Sequence, residues 1–246
     1  MINKKLSIIT VCYNAGQTIE RTIKSVIAQT YKNIEYVIID GQSTDTTLDL
    51  LESYKNNIAV KVSEKDKGIY DAMNKGISLA TGAYILLLNA DDYLFSPNAI
   101  ENMMTAIESQ NDEDIFYGNL LMFDEKTGTA KLWKPGPISG KLLYSSSLPH
   151  PSTIYKRAIF EQINKFDDTY KIAADYEFYV RAFSFRANFK YLDQLVSVFS
   201  YGGVSTSGEY KKLTNDERQR TLLKYFTDTQ RLMLRIRVRI KKLFNI

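Results

Sequence analysis

The chain of 246 residues predicts an α/β fold. It reads as a mostly parallel sheet flanked by helices in its first half, a mixed second half, and a basic helix at the end. Two observations carry this. Short β-branched runs alternate with amphipathic helical stripes through residue 110, the way parallel βαβ units read. Each of the first four runs also ends in a polar cluster, as strands do whose carboxyl ends form a ligand edge.

The strand candidates are Leu6 to Val11, Ile34 to Ile39, Ile58 to Val62 and Tyr84 to Leu88. Between the first two, Ile19, Ile23, Val26 and Ile27 fall on one helical stripe, and Ile69, Met73, Ile77 and Ala80 form another before the fourth. Leu48 and Leu51 mark a helix capped by Ser43 or Asp45. Ser96-Pro97 reads as a helix start ahead of Ile100, Met103, Met104 and Ile107. Ile115 to Tyr117 and Leu120 to Phe123 read as two strands, and Asp124 to Gly128 as a hairpin turn leading to Ala130 to Trp133. Pro135, Pro137 and Gly140 mark a loop, and helices are expected over Arg157 to Ile163 and Asp175 to Ser184.

With 44% apolar residues the chain can bury one large core. Cys12 is its one cysteine, so no intrachain disulfide is possible and a reducing, cytoplasmic setting is expected. The apolar run Leu6 to Val11 is too short for a signal peptide, and no stretch approaches the roughly 20 apolar residues of a spanning helix. The formal charge of +4 is uneven: residues 231–246 hold six Lys or Arg and no acid, so without them the rest is near −2. The body therefore presents no nucleic-acid-binding face. On a helical wheel Leu232, Met233, Ile236, Ile240, Leu243 and Phe244 share one face, with Arg231, Arg235, Arg239 and Lys242 on another and Arg237 and Lys241 flanking. Such a segment suits an anionic membrane surface, or packing on its own body or a second subunit.

The apolar run Ile85 to Leu88 delivers Asn89-Ala90-Asp91-Asp92 at its exit. Paired carboxylates there can hold Mg²⁺ or Mn²⁺ together with substrate phosphates, although paired Asp also serve in turns and helix caps. Asp40, at the end of the second strand, can accept from a nucleobase or ribose and has no evident structural task. Lys67, Asn74 and Lys75 can bring donors to a diphosphate, with Gly68 letting the backbone come close; solvated surface charge is the plainer reading of the two lysines. Asp175 can cap its helix, with Glu177 and Arg181 as an exposed i,i+4 pair.

Four segments, in order, resemble the family 2 glycosyltransferases. They are Ser7 to Asn14, Asp40 to Thr47, Asn89-Ala90-Asp91-Asp92, and Ala173 to Phe178; Asp66 to Gly76 is similar to a subgroup that builds bacterial surface polysaccharides. The resemblance implies a GT-A fold over residues 1–205 (a nucleotide-sugar half, 1–110, and an acceptor half, 111–205) with a helical extension over 206–246. It implies inverting transfer from a nucleotide-diphosphate sugar, a UDP-sugar, to a glycan or lipid-linked acceptor, and the basic end would hold the enzyme on the inner face of the plasma membrane. By position, Val11, Tyr13 and Asp40 would hold base and ribose, and Asp66, Lys67, Asn74, Lys75, Asn89 and Asp91 the rest of the donor. Asp91 and Asp92 would hold the divalent cation. Many relatives have an acid where this chain has Asn89, which leaves either Asp as the direct ligand.

Asp175 matches the family's catalytic base. A histidine recurs at the place of His150 in similar transferases, near the metal-diphosphate or the acceptor; a solvated loop histidine is the competing reading. Gly202-Gly203 with Ser205 looks like a lid, or simply a turn. A sugar-phosphate nucleotidylyltransferase would need a glycine-rich loop after the first strand, where only Gly16 lies nearby. A non-catalytic sugar-binding module would have no need to keep Asp91, Asp92 and Asp175 together.

Overall fold

The computed structural model describes residues 4–109, 113–201 and 210–233. The chain runs β1 (Leu6–Cys12), α1 (Ile19–Ile27), β2 (Ile34–Asp40), α2 (Thr47–Ser53), β3 (Val60–Ser63), α3 (Ile69–Leu79), β4 (Tyr84–Leu87), β5 (Tyr93–Leu94) and α4 (Ala99–Glu108). It continues with β6 (Ile115–Asp124), β7 (Thr129–Trp133), α5 (Gly140–Ser145), β8 (Thr153–Lys156), α6 (Ile159–Gln162), α7 (Ala174–Ser184), β9 (Phe189–Ser200) and α8 (Lys211–Tyr225). Among the described residues the strands form one sheet in the order β3-β2-β1-β4-β8-β6-β9-β5, with β7 paired to β6. β1 to β4 are parallel, and β8 enters antiparallel between β4 and β6. This is the expected α/β sheet with a parallel first half and a mixed second.

Both faces of the sheet are covered, which is why the central strands are apolar without a break. Ile9, Val37 and Leu87 point to the layer of α3, α6 and α7, while Ile8, Ile38 and Leu86 point to that of α1, α2 and α4. Neighbouring residues in a strand alternate faces, so each strand serves both cores.

Several sequence readings shift. Ser96 does not cap α4: its hydroxyl bonds Asn98 Oδ1 at 2.7 Å and the helix begins at Ala99. The Gly118-Asn119 pair that separates two expected strands is an irregular step in the register of one continuous β6 against β9. β8 and β9 were not legible. β9 is half-buried for much of its length and lacks a clean alternation, and Arg157, read as helical, instead prolongs β8 with its N–H on Ala83 O at 2.9 Å. Gly140 opens α5, capped by Ser139, whose hydroxyl accepts from Leu142 N at 3.1 Å. Glu177 and Arg181 are not an exposed pair but a buried one, 0% and 9% exposed and 3.0 Å apart. Arg181 also donates to the carbonyls of Ile163, Asn164 and Lys165, which fixes the turn before Phe166.

One buried carboxylate holds the amino end of the sheet. Glu35 accepts from Lys5 Nζ at 2.8 Å, Ser7 Oγ at 2.5 Å, and Thr81 N and Oγ1 at 2.7 and 2.5 Å. Burial would raise its pKa, but these donors outweigh burial and hold it at about 2, against an ordinary 4.5. The group's folded pKa is depressed. Its contribution, up to about 3 kcal/mol, is therefore present above the unfolded pKa and lost as pH falls towards 2. Glu35→Gln is expected to cost about 2 to 3 kcal/mol at pH 7 in urea unfolding, with the gap to wild type closing below about pH 3. A gap that stays constant down to acid pH would refute this account.

Candidate active site

Because β1 to β4 run parallel, their carboxyl ends share one edge, and Cys12, Asp40 and Ser63 lie side by side there. Val11 is buried in the floor, and Tyr13 beside it is 65% exposed. Asp40 is fully buried, its Oδ2 accepting from Ser43 N at 3.0 Å and Ser63 Oγ at 2.6 Å, its Oδ1 from Ser43 Oγ. The expectation that Asp40 lacks a structural task is corrected: it ties the β2 exit to β3. Asp45, not Ser43, serves the start of α2, accepting from Thr47 N at 3.0 Å; Ser43 Oγ accepts instead from Asn14 N at 2.8 Å.

Asp66 turns the chain between β3 and α3. Its Oδ1 accepts from Gly68 N at 2.9 Å, and its Oδ2 fills the space where a Cβ on Gly41 would come within 2.5 Å, so a side chain at 41 would push the Asp66 carboxylate aside. Gly68 has φ +135° and ψ 173°, a conformation essentially confined to glycine. Lys67 is exposed beside it. Two donor-side candidates have other partners. Asn74 clamps the backbone of Phe166, its Nδ2 donating to the carbonyl at 2.9 Å and its Oδ1 accepting the N–H at 3.0 Å. Lys75 is bound to Glu64 at 2.9 Å, Asp71 at 3.3 Å and Lys65 O at 3.0 Å.

At the exit of β4 a turn closes with Asp92 N on Asn89 O at 3.1 Å. Thr22 of α1 holds it, its hydroxyl 3.0 and 2.7 Å from the carbonyls of Ala90 and Asp92. Asp92 is fully buried: Oδ1 accepts weakly from Ser200 N at 3.3 Å, while Oδ2 has no partner among the described residues, and neither has Asn89 Oδ1. Burial and the charge of Asp91 push the Asp92 carboxyl well above the usual range, and burial raises Asp91 as well. Arg21 opposes both shifts; it bonds Asp91 O at 3.2 Å and Ser200 Oγ at 2.9 Å and lies over the Tyr93 ring. Desolvated, under-compensated carboxylates flanked by unpartnered oxygens suit a hard divalent cation. Among the described residues no three or more His, Cys, Asp or Glu side chains form a preformed cage.

Asp175 lies in the first turn of α7, half-buried, with Oδ1 3.2 Å from the Tyr70 hydroxyl. The one proton of that hydroxyl is shared with Ile172 O, the nearer acceptor at 2.6 Å. His150 is not a solvated loop histidine. It is 9% exposed in a short turn ahead of β8, packs edge-on to Phe166, and neither ring nitrogen has a partner among the described residues. Burial lowers its pKa, with the nearby Asp175 charge opposing. The antiparallel pairing of β8 with β4 sets this turn beside the exit of β4. The fold therefore places Tyr13, Asp40 and Asp66 at one part of the edge and Asn89, Asp91 and Asp92 at another, with His150 of the second half beside the exit of β4 and Asp175 against Tyr70 of α3. Arg21 and Tyr70 were not singled out from the sequence. Arg21 reads there as one more helix-surface charge, and Tyr70 as part of a motif already quoted. Gly202, Gly203 and Ser205 lie outside the described residues.

A family model described as glycosyl transferase family 2 matches residues 7–174. A PGL/p-HBAD biosynthesis glycosyltransferase of Mycobacterium tuberculosis is 30% identical over 233 residues, 94% of this chain and 87% of the relative. Glycosyltransferase GlyG of Streptococcus pneumoniae is 29% identical over 138 residues, 55% of this chain and 45% of the relative. Among solved structures, S. aureus TarS 1–349 in complex with UDP-GlcNAc superposes with a TM-score of 0.71 at 19% identity, covering 94% of this chain and 69% of that one. The mannosyltransferase PcManGT of Pyrobaculum calidifontis, in complex with GDP-Man and Mn²⁺, does so at 0.63 and 17%, covering 80% and 56%. At these identities the structural likeness is one of fold.

Proposed function

This chain belongs to glycosyl transferase family 2 and is a glycosyltransferase, and on that premise we propose that it inverts a UDP-sugar onto a hydroxyl of a glycan or lipid-linked glycan in bacterial surface polysaccharide synthesis. The observation that carries the reading is the pair of desolvated carboxylates, Asp91 and Asp92, at one side of the strand edge, with Asp175 beside Tyr70 at the other. The TarS complexes with UDP and UDP-GlcNAc support a uridine donor. In this reading the donor lies over residues 1–110, the acceptor over 111–205, and 206–246 form an extension.

Tyr13, exposed beside Val11, offers its ring to the base, while Asp40 sets the loop beneath, and Asp66 and Lys67 border the sugar-diphosphate. Asp91, the less buried of the pair, would hold the divalent cation, with the unpartnered Oδ2 of Asp92 behind it; Asn89 and His150 complete the polar rim. Bound there, Mn²⁺ or Mg²⁺ supplies positive charge against the departing diphosphate. Asp175 takes the proton of the attacking hydroxyl, and Tyr70 orients that carboxylate. A panel of UDP-, GDP- and dTDP-sugars in Mn²⁺ should produce one class that raises the melting temperature by several degrees. No shift with any member would count against a nucleotide-sugar enzyme.

We infer that the chain works at the cytoplasmic face of a membrane through its end. Leu232 and Met233 are 58% and 48% exposed, and residues 234–246 lie outside the described ones. Arg231 donates to Phe226 O at 2.6 Å and to Asp228. The other five cations, at about 1 kcal/mol each before salt screening, remain for anionic lipid. No helix of the described residues is long and apolar enough to cross a membrane. Deleting residues 234–246 should reduce binding to phosphatidylserine-containing liposomes at low salt at least tenfold. Undiminished binding by the folded, truncated protein would exclude the anchor.

A further inference from the structure

The three N–H groups of residues 171–173 precede the first turn of α7 and need acceptors from elsewhere. They find all three in one side chain of α8. Glu217 Oε1 accepts from Lys171 N at 2.7 Å, and Oε2 accepts from Ile172 N at 3.0 Å and Ala173 N at 2.9 Å. Glu217 is 6% exposed, so this carboxylate exchanges its water for three charge-assisted bonds to one stretch of backbone. The same stretch carries Ile172 O, which takes the Tyr70 hydroxyl at 2.6 Å, and that hydroxyl is the one 3.2 Å from Asp175 Oδ1. Arg218 stacks on Tyr176 at 4.1 Å and Arg220 on Tyr170 at 4.3 Å, gripping the segment on either side. α8 lies beyond residues 7–174, the span matched by the family model.

We propose that Glu217 is a positioning residue for Asp175: it fixes the backbone from which Asp175 projects and the carbonyl that orients Tyr70 against it. The helix after the matched span is thereby part of the active site without touching substrate. The proposal rests on Asp175 being the base. A neutral isostere at 217 sets an amide against backbone N–H groups, so the segment shifts while the donor pocket, built on β1 to β4, stays.

The test is a double-mutant cycle of Glu217→Gln and Asp175→Asn, following nucleoside diphosphate released from the UDP-, GDP- or dTDP-sugar that gives the largest thermal shift, with water as acceptor. Glu217→Gln alone should lower kcat roughly 10- to 100-fold with donor KM within about twofold of wild type. On the Asp175→Asn background the same change should cost less than about threefold, because the group it positions is already lost. Near-normal kcat in folded Glu217→Gln overturns the proposal, and so does an equal loss on both backgrounds. Near-normal turnover of Asp175→Asn alone overturns the premise, a different result from either. If Glu217→Gln does not fold, Glu217→Asp, which keeps the charge and draws it back by one methylene, takes its place in both arms with the same criteria.

Discussion

Asp175→Asn is expected to lower turnover at least about 100-fold while leaving Mn²⁺ and donor affinity within about threefold of wild type. The amide keeps the shape of the side chain and can still meet the Tyr70 hydroxyl, which lies 3.2 Å from Asp175 Oδ1. It cannot take a proton from an attacking hydroxyl. In the proposed reading the donor lies over the strand exits, separate in the chain from Asp175, so binding should survive the change. Stopped-time assays of nucleoside diphosphate release, with calorimetry of nucleotide binding beside them, read the two quantities independently. A folded variant with near-normal turnover would remove Asp175 from the mechanism.

Asp91→Ala is expected to lower Mn²⁺-dependent nucleotide affinity about 100-fold, and Asp92→Asn at least tenfold, while both stabilise the metal-free fold. Asp92 is fully buried, and burial plus the Asp91 charge push its carboxyl well above the usual range. The folded pKa is raised, so this group favours the fold at pH values below its unfolded pKa, and that contribution disappears as pH rises through the folded value. Without metal, burying this carboxyl therefore works against folding at pH values above its unfolded pKa, whether it takes up a proton or stays charged. Asp92→Asn should accordingly melt at a higher temperature than wild type in EDTA, and gain less from Mn²⁺. Ala at 91 removes a half-buried carboxylate and relieves its neighbour in the same direction, though less. Full Mn²⁺-dependent affinity in both variants, measured by calorimetry, would refute the site.

The strand exits were legible because each signal there is local. An apolar run long enough to cross the core, followed at once by Asp40 or by Asn89-Ala90-Asp91-Asp92, fixes both the strand and the edge at which its polar residues emerge. The second half was less legible for a matching reason. β8 and β9 owe their place to partners far off in sequence: β8 fits between β4 and β6, and β9 follows β6 through an irregular register. Nothing in Phe189 to Ser200 by itself selects that pairing.

The same division runs through the site. By itself the sequence determined the α/β class, the order of the polar segments and the identity of the carboxylates, since these depend on residue type and short-range periodicity. Only the tertiary structure decided what those groups meet. Asp40 proved bound on both oxygens, Asn74 clamped to a backbone 92 residues away, and His150 buried without a partner among the described residues. Glu217 reached three N–H groups more than 40 residues earlier in the chain. A side chain's desolvation and its hydrogen-bond partners are set by whichever segments pack around it, and sequence distance carries almost no information about those.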